Sequence, residues 1–364
     1  MAGVLALGGC AKDTGGGSGA NAAAGGSCVT SAPPAAPAAT TSSSAPTTKV
    51  DASAMRVGLS FDIGGRGDAS FNDAAGAGVD KAKQDFGIKD VNESSAGASE
   101  DESAREQRLT QQAANGYNPV IAVGYAYADA VKAVATKFPN TKFAIIDDDS
   151  VVLPNVTPLV FSEEQGSFLV GVAAVYKSKN CHVGFVGGVD TPLIQKFQAG
   201  FDQGARAAST KVVIENEYLS PAGDTSGYQD PAKGNLVATA EIGKGADVVY
   251  PAAGASGKGV FEAAKSGNAL AIGVDSDQYN QATVANVKDV IMTSMLKRVD
   301  VAVYDYILAV ATNTLSALPR RFDLKVNGVG YATSGGKIDD IVPVLEGYKQ
   351  EIVDGKITVA TTPQ

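Results

Sequence analysis

The sequence is poor in the side chains on which much catalytic chemistry depends. It holds one histidine, His182, no tryptophan, and only three cysteines, Cys10, Cys28 and Cys181. A Ser-His-Asp relay would have to use His182, a histidine-rich zinc site cannot be assembled, and no Cys-x-x-Cys pair exists. No run of about 18 apolar residues occurs, so no stretch reads as a membrane-spanning helix. Extended Lys/Arg runs are also missing and the net charge is −9, which argues against a nucleic-acid footprint.

What is present is enough for two domains. The chain has 364 residues, 44% of them hydrophobic, which is long for one ordinary domain and sufficient for two cores. The first ten residues end in Leu7-Gly8-Gly9-Cys10, which resembles a bacterial lipobox whose cysteine carries lipid. Val4–Leu7 reads as the end of an apolar signal core; its shortness and the lack of basic residues point to a start further upstream. Residues 11–53 are nearly all Gly, Ser, Ala, Pro and Thr. Such a stretch buries too little apolar surface to offset its ordering entropy and reads as a disordered tether, with a reach of about 35 Å. Within it Cys28 is either paired with Cys181 or a free thiol.

From Met55 the pattern changes. Short apolar runs (Arg56–Phe61, Val120–Val123, Phe143–Ile146, Val183–Val186, Val212–Glu217, Val248–Pro251, Leu270–Val274) read as strands. Between and after them, amphipathic stretches (Phe71–Phe86, Ala126–Phe138, Ile194–Ala207, Gly234–Lys244, Gly257–Lys265, Lys297–Ala311) read as helices. Strands alternating with helices of this length predict βαβ units. Two such series, separated near Ser162–Tyr176, predict an α/β fold of two doubly wound parallel-sheet lobes with a ligand cleft between them. In parallel sheets ligands sit beyond the carboxyl ends of the strands. Those positions are polar here: Asp62, Asp68, Ser70, Phe71 and Asn72 after the first strand, then Gly124 and Tyr125, Asp147, and finally Asp275 and Asp277. Carboxylates there accept hydrogen bonds from hydroxyls, and aromatic faces stack on flat rings.

At these residues the chain resembles the basic-membrane-protein family of substrate-binding lipoproteins, which includes purine-nucleoside receptors. The matching stretches are Asp62–Gly65, Asp68–Asn72, Lys142–Asp147, Phe161–Gly171, Val183–Gly188, Phe197–Phe201, Asp230–Gly234, Ile272–Gln278 and Thr293–Asp300, in the family's order. The resemblance implies the type I periplasmic-binding-protein fold, with three crossings between lobes: residues 54–161 plus about 285–320 in lobe 1, and 162–284 plus 321–364 in lobe 2. It implies a base stacked between Phe71 and Tyr228, a base edge read by Asp147, and further ligand contacts from Asp62, Ser70, Asn72, Gly254, Asp275 and Asp277. Some relatives carry Lys-x-Asp where this chain has Asp275-x-Asp277, which favours nucleosides over nucleotides. The implied function is capture of a nucleoside by lobe closure, without catalysis, for an ABC permease. The chain would act as a monomer anchored through Cys10 to the outer face of the cell membrane. The same scaffold binding a sugar, an autoinducer or another polar metabolite is the alternative; a nucleoside-cleaving enzyme is a further one.

Other features read as ordinary. Asp147-Asp148-Asp149 is one functional aspartate followed by solvated capping residues rather than a metal site. Gly254–Gly259 fails the phosphate-loop pattern, because Ala252 and Gly259 stand where it needs glycine and a hydroxyl. No cofactor is expected. His182 reads as structural, and Lys297-Arg298 as a solvated pair, with closure of the lobes as its other possible use.

Overall fold

The computed structural model describes residues 28–37, 50–98 and 100–364; Cys10 lies outside them. The strands are β1 (Arg56–Phe61), β2 (Asp90–Ser95), β3 (Val120–Ala122), β4 (Phe143–Ile146), β5 (Val156–Leu159), β6 (His182–Val189), β7 (Val213–Ser220), β8 (Val248–Ala252), β9 (Leu270–Asp275), β10 (Ile291–Lys297) and β11 (Val329–Tyr331). The helices are α1 (Phe71–Phe86), α2 (Glu102–Ala114), α3 (Ala128–Lys137), α4 (Glu163–Lys177), α5 (Pro192–Ala208), α6 (Pro231–Lys244), α7 (Gly257–Ser266), α8 (Val299–Thr312) and α9 (Val342–Val353).

Two sheets result, ordered β2-β1-β3-β4-β5 and β11-β10-β9-β8-β6-β7. The first is parallel throughout, and in the second only β11 runs antiparallel to its neighbour. The central strands β3, β4 and β8 are buried along their whole length, as parallel strands covered on both faces must be. This is the expected α/β architecture.

The chain crosses between lobes at Phe161–Glu163, at Lys297–Val299 and near Phe322. There the Ser162 amide donates to the Phe322 carbonyl at 3.1 Å, and the Phe322 amide donates to the Val160 carbonyl at 2.8 Å. The boundary expected near residue 285 needs correction. β10 pairs with β9, so residues 285–297 belong to lobe 2, and only α8 returns to pack on α1. Lys297 accordingly ends a strand instead of opening a helix. The tether also needs correction: Cys28 is buried and disulfide-bonded to Cys181, and Ala52 is buried with its amide on the Phe86 carbonyl at 2.8 Å. Glycine- and alanine-rich composition does not reveal local docking of this kind.

His182 begins β6 and contacts Glu215 at 3.0 Å, at the strand end turned away from the cleft. Nearby Glu241 is fully buried and neither carboxyl oxygen has a partner. Burial, reinforced by Glu215 and Glu217, pushes its carboxyl up to about 9. A folded-state value above the unfolded one makes this group's contribution greatest at low pH and erodes it as pH climbs from about 4.5 to about 9, by up to about 1.4 kcal/mol per pH unit. Glu241→Gln removes that slope. Its melting temperature is expected to gain on the wild type steadily between pH 5 and pH 8 in parallel thermal melts; a pH-independent difference would contradict the assignment.

Candidate ligand-binding cleft

The carboxyl ends of the strands in both lobes turn toward one cleft lined by residues of both lobes, the position where open parallel sheets bind ligands. Lobe 1 contributes Asp62, Asp68, Phe71, Asn72, Gly124, Tyr125 and Asp147. From lobe 2 come Ile194, Phe197, Tyr228, Gly254, Asp275 and Lys297. The two halves are built alike. Asp147 follows β4 with φ 68° and Asp275 ends β9 with φ 63°. Both hold the left-handed backbone that a non-glycine residue adopts only at a cost, a common property of ligand sites. Gly124 follows β3 with φ 103°, and any side chain there would collide with the Asp62 carboxylate.

The loop after β1 is held by its own polar groups. The Asp62 amide donates to Asn72 Oδ1 at 3.0 Å, and Asn72 Nδ2 donates to the Ile63 carbonyl at 3.2 Å and to Asp68 Oδ2 at 3.1 Å. Asp68 accepts from the amides of Ser70, Asn72 and Asp73, so it caps the start of α1. Asn72 therefore lines the cleft while its polar atoms fasten the loop that presents Asp62 and Phe71. Burial raises the Asp62 and Asp68 carboxyls to about 6.

At the floor lies a charge cluster that joins the lobes. Lys297 Nζ is 2.6 Å from Asp147 Oδ2 and 3.2 Å from Glu163 Oε1, and the lysine side chain is 2% exposed. The rings of Phe71, Phe161 and Phe197 surround the ammonium at 5.0, 5.2 and 5.5 Å. Burial works against that charge, but Asp147, Glu163 and Asp275 outweigh it and raise Lys297 above its ordinary range. Burial also raises Asp147, with Lys297 pulling the other way, and raises Asp275. Asp147 Oδ1 is buried and has no partner. Asp147, with this partnerless oxygen, lines the cleft together with two aromatic rings, Phe71 from lobe 1 and Tyr228 from lobe 2.

A family model described as an ABC transporter substrate-binding protein, PnrA-like, matches residues 55–362. The chain belongs to this family. It is 34% identical over 325 residues to the CD4+ T-cell-stimulating antigen of Listeria monocytogenes, covering 84% of this chain and 88% of that protein. It is 33% identical over 323 residues to an uncharacterized lipoprotein of Pyrococcus abyssi (81% and 76% covered). An ABC transporter nucleoside-binding protein of Lactococcus lactis is 29% identical, with 84% and 89% covered. Among solved structures, a solute-binding protein of an ABC transporter system from Aeropyrum pernix superposes with a TM-score of 0.71 at 26% identity, covering 85% of this chain and 94% of that one. The type I periplasmic-binding-protein fold follows, and with it a small-molecule ligand and a membrane permease as partners.

Seven of the residues singled out by sequence, namely Asp62, Phe71, Asn72, Asp147, Tyr228, Gly254 and Asp275, do line the cleft of this substrate-binding protein. Ser70 and Asp277 do not. Ser70 is fully buried and its hydroxyl donates across the lobe boundary to Asp275 Oδ2 at 2.7 Å, while the Ser276 hydroxyl donates back to the Ser70 carbonyl at 2.9 Å. Ser70 therefore joins the lobes behind the cleft. Asp277 accepts from Ser334 at 2.5 Å and Asn280 at 2.8 Å and lines a separate groove between lobe 2 and α1. Sequence reasoning missed the buried position of Lys297 and the part played by Phe197. Tyr125, noted after its strand, also faces the cleft, its hydroxyl approaching that of Tyr228.

Proposed function

We propose that this cleft captures a nucleoside, preferably a purine nucleoside, by closure of the two lobes. The base lies between Phe71 and Tyr228, an N–H of its edge donates to Asp147, and the sugar hydroxyls donate to Asp62 and Asp275. The observation that carries the reading is that Asp147, with its unpartnered Oδ1, lines the cleft together with aromatic rings supplied by opposite lobes. A ligand with both a flat face and an N–H donor satisfies both features. The name of the Lactococcus lactis relative supports it. Nucleotides fit poorly: the lining carries Asp62, Asp68, Asp147 and Asp275 against the single cation Lys297, already paired, so a phosphate would meet uncompensated negative charge.

The protein acts as a monomer without catalysis, held to the outer membrane face by lipid on Cys10, and passes its ligand to the permease. Support for the anchor comes from the lipobox-like Leu7–Cys10 and the relatives named lipoproteins; Cys10→Ser should release the protein from membranes.

The test is a melting-temperature screen of the protein with nucleosides, bases, nucleotides and sugars, since a ligand bound to the native state raises the melting temperature by mass action. Selective stabilisation by inosine, guanosine or adenosine, with no release of free base, is expected. Response to sugars alone would overturn the ligand while leaving the family intact. For the responding nucleoside, Ser70→Ala should weaken binding about tenfold through faster release, because it breaks an interlobe bond and strands a buried carboxylate. Asp277→Ala should leave affinity within about twofold, since this carboxylate lies outside the cleft; calorimetric titration of both variants separates the two roles.

A further inference from the structure

The cleft leaves one built feature of the chain without a purpose, the pairing of buried Cys28 with half-buried Cys181. Cys28 and Cys181 form a disulfide across 153 residues of sequence. Cys181 immediately precedes β6, and the segment beginning at Cys28 also docks on Ser209, just past the end of α5. Both places lie at the end of the lobe 2 sheet turned away from the cleft, because the strand carboxyl ends and Leu193 and Ile194 at the start of α5 face it.

The docking is more than a chance contact. Cys28 is completely buried. The amides of Thr30 and Ser31 donate to the Ala208 carbonyl at 3.1 and 3.2 Å. Ser209 Oγ donates to the Cys28 carbonyl at 2.6 Å, and the Thr210 amide donates to Thr30 Oγ1 at 2.8 Å. Gly347 of α9 gives room for the backbone of Pro34, whose carbonyl oxygen would lie 2.7 Å from a β-carbon there. Further along, Ala52 docks on the end of α1 and the chain enters β1 of lobe 1. Covalently, then, the chain is fixed to the far end of lobe 2 before it joins lobe 1.

We infer that the Cys28–Cys181 disulfide makes lobe 2 the attachment point of all the chain upstream of Cys28, and that its reduction transfers the attachment to lobe 1. With the bond intact, a pull on the upstream chain is borne at Cys181. Reduction by a dithiol delivers two electrons and two protons, leaving two thiols and an oxidised dithiol. Only non-covalent contacts, the hydrogen bonds and the packing around Cys28 and Pro34, then hold the segment to lobe 2, and these are weak enough to be broken by a pull. The load then passes along the chain to Ala52 and β1. Such a bond persists in the oxidising surroundings of an exported protein. The device is independent of the nucleoside reading.

The test uses the full chain, produced under oxidising conditions with an affinity tag at its amino terminus, a protease site inserted after Ser43, and attachment to resin through the tag. After cleavage the body is expected to stay on the resin and to elute when a dithiol is added. Cys28→Ser, which changes no residue of lobe 2, should elute on cleavage alone, and a cooperative melting transition, at whatever temperature the lost cross-link sets, establishes that its body is folded. Elution of the wild-type body on cleavage without reductant would overturn the inference. So would retention after the dithiol, because the segment would then be held by contacts that do not depend on redox state.

Discussion

Lys297→Met is expected to lower the stability of the folded protein by about 3–5 kcal/mol, the usual cost of removing one partner from a buried ion cluster. The ammonium is the counter-charge for Asp147 at 2.6 Å and Glu163 at 3.2 Å, and it also bears on Asp275. Without it three carboxyls share a dry volume walled by Phe71, Phe161 and Phe197. Methionine fills much the same space, so little of the loss comes from packing. Asp147 and Asp275 should respond by binding protons. Burial already raises both carboxyls and Lys297 opposes that rise, so without it they move up further, and the variant's deficit is largest at about pH 8 and shrinks on acidification as they become neutral. Urea unfolding at pH 8 and pH 5 measures this directly. Adding Glu163→Gln to Lys297→Met should recover part of the loss, since it removes one of the uncompensated charges. A deficit below about 1 kcal/mol at pH 8 would mean that Lys297 does not serve as the counter-charge.

That cluster also marks where the sequence stops being readable. The alternation of strands and helices is legible because central parallel strands are apolar throughout, as in Phe143–Ile146, and the helices between them are amphipathic. Strand β2 is not legible: Asp90–Ser95 is a polar edge strand, held by its backbone pairing with β1. Asp62, Asp147 and Asp275 could be singled out because each stands at the carboxyl end of a strand, where topology alone places ligands. Lys297 could not. A Lys-Arg pair reads as solvated unless its partners are known, and the carboxylate that pairs with it is 150 residues away in sequence. Ser70 and Asp277 carry the same lesson from the other side. Their chemistry suited a ligand, but Asp275 and Ser334, brought near only by the fold, take up their hydrogen bonds. Tyr228 sits in a short helical turn (Thr225–Tyr228) with no periodic signal, and only the family resemblance picks it out.

Asp147→Asn should weaken purine-nucleoside binding by about 100-fold, the largest effect on affinity expected for a single conservative change in the cleft. Asp147 Oδ2 is occupied by Lys297, while Oδ1 is buried without a partner, so the carboxylate presents one strong acceptor and no donor. A hydrogen bond to a charged group contributes about 1.5–3 kcal/mol, which corresponds to roughly 10- to 150-fold in affinity. The amide retains the shape but loses the charge, and it can turn its own N–H toward the ligand's N–H. Lys297 stays paired with Glu163 in this variant, so the fold should survive, and an intact melting transition separates lost binding from lost structure. The pH dependence gives a second handle. Burial raises the Asp147 carboxyl, and its ionised form accepts the ligand's N–H much more strongly than the protonated one. Wild-type affinity should therefore fall on mild acidification, as protons compete for the site, while the asparagine variant should be much less sensitive to pH over the same range. Calorimetric titration with inosine at pH 8 and pH 6 distinguishes the cases. If Asp147→Asn binds inosine as tightly as the wild type, the base edge is not read by Asp147, and stacking between Phe71 and Tyr228 must account for selectivity alone.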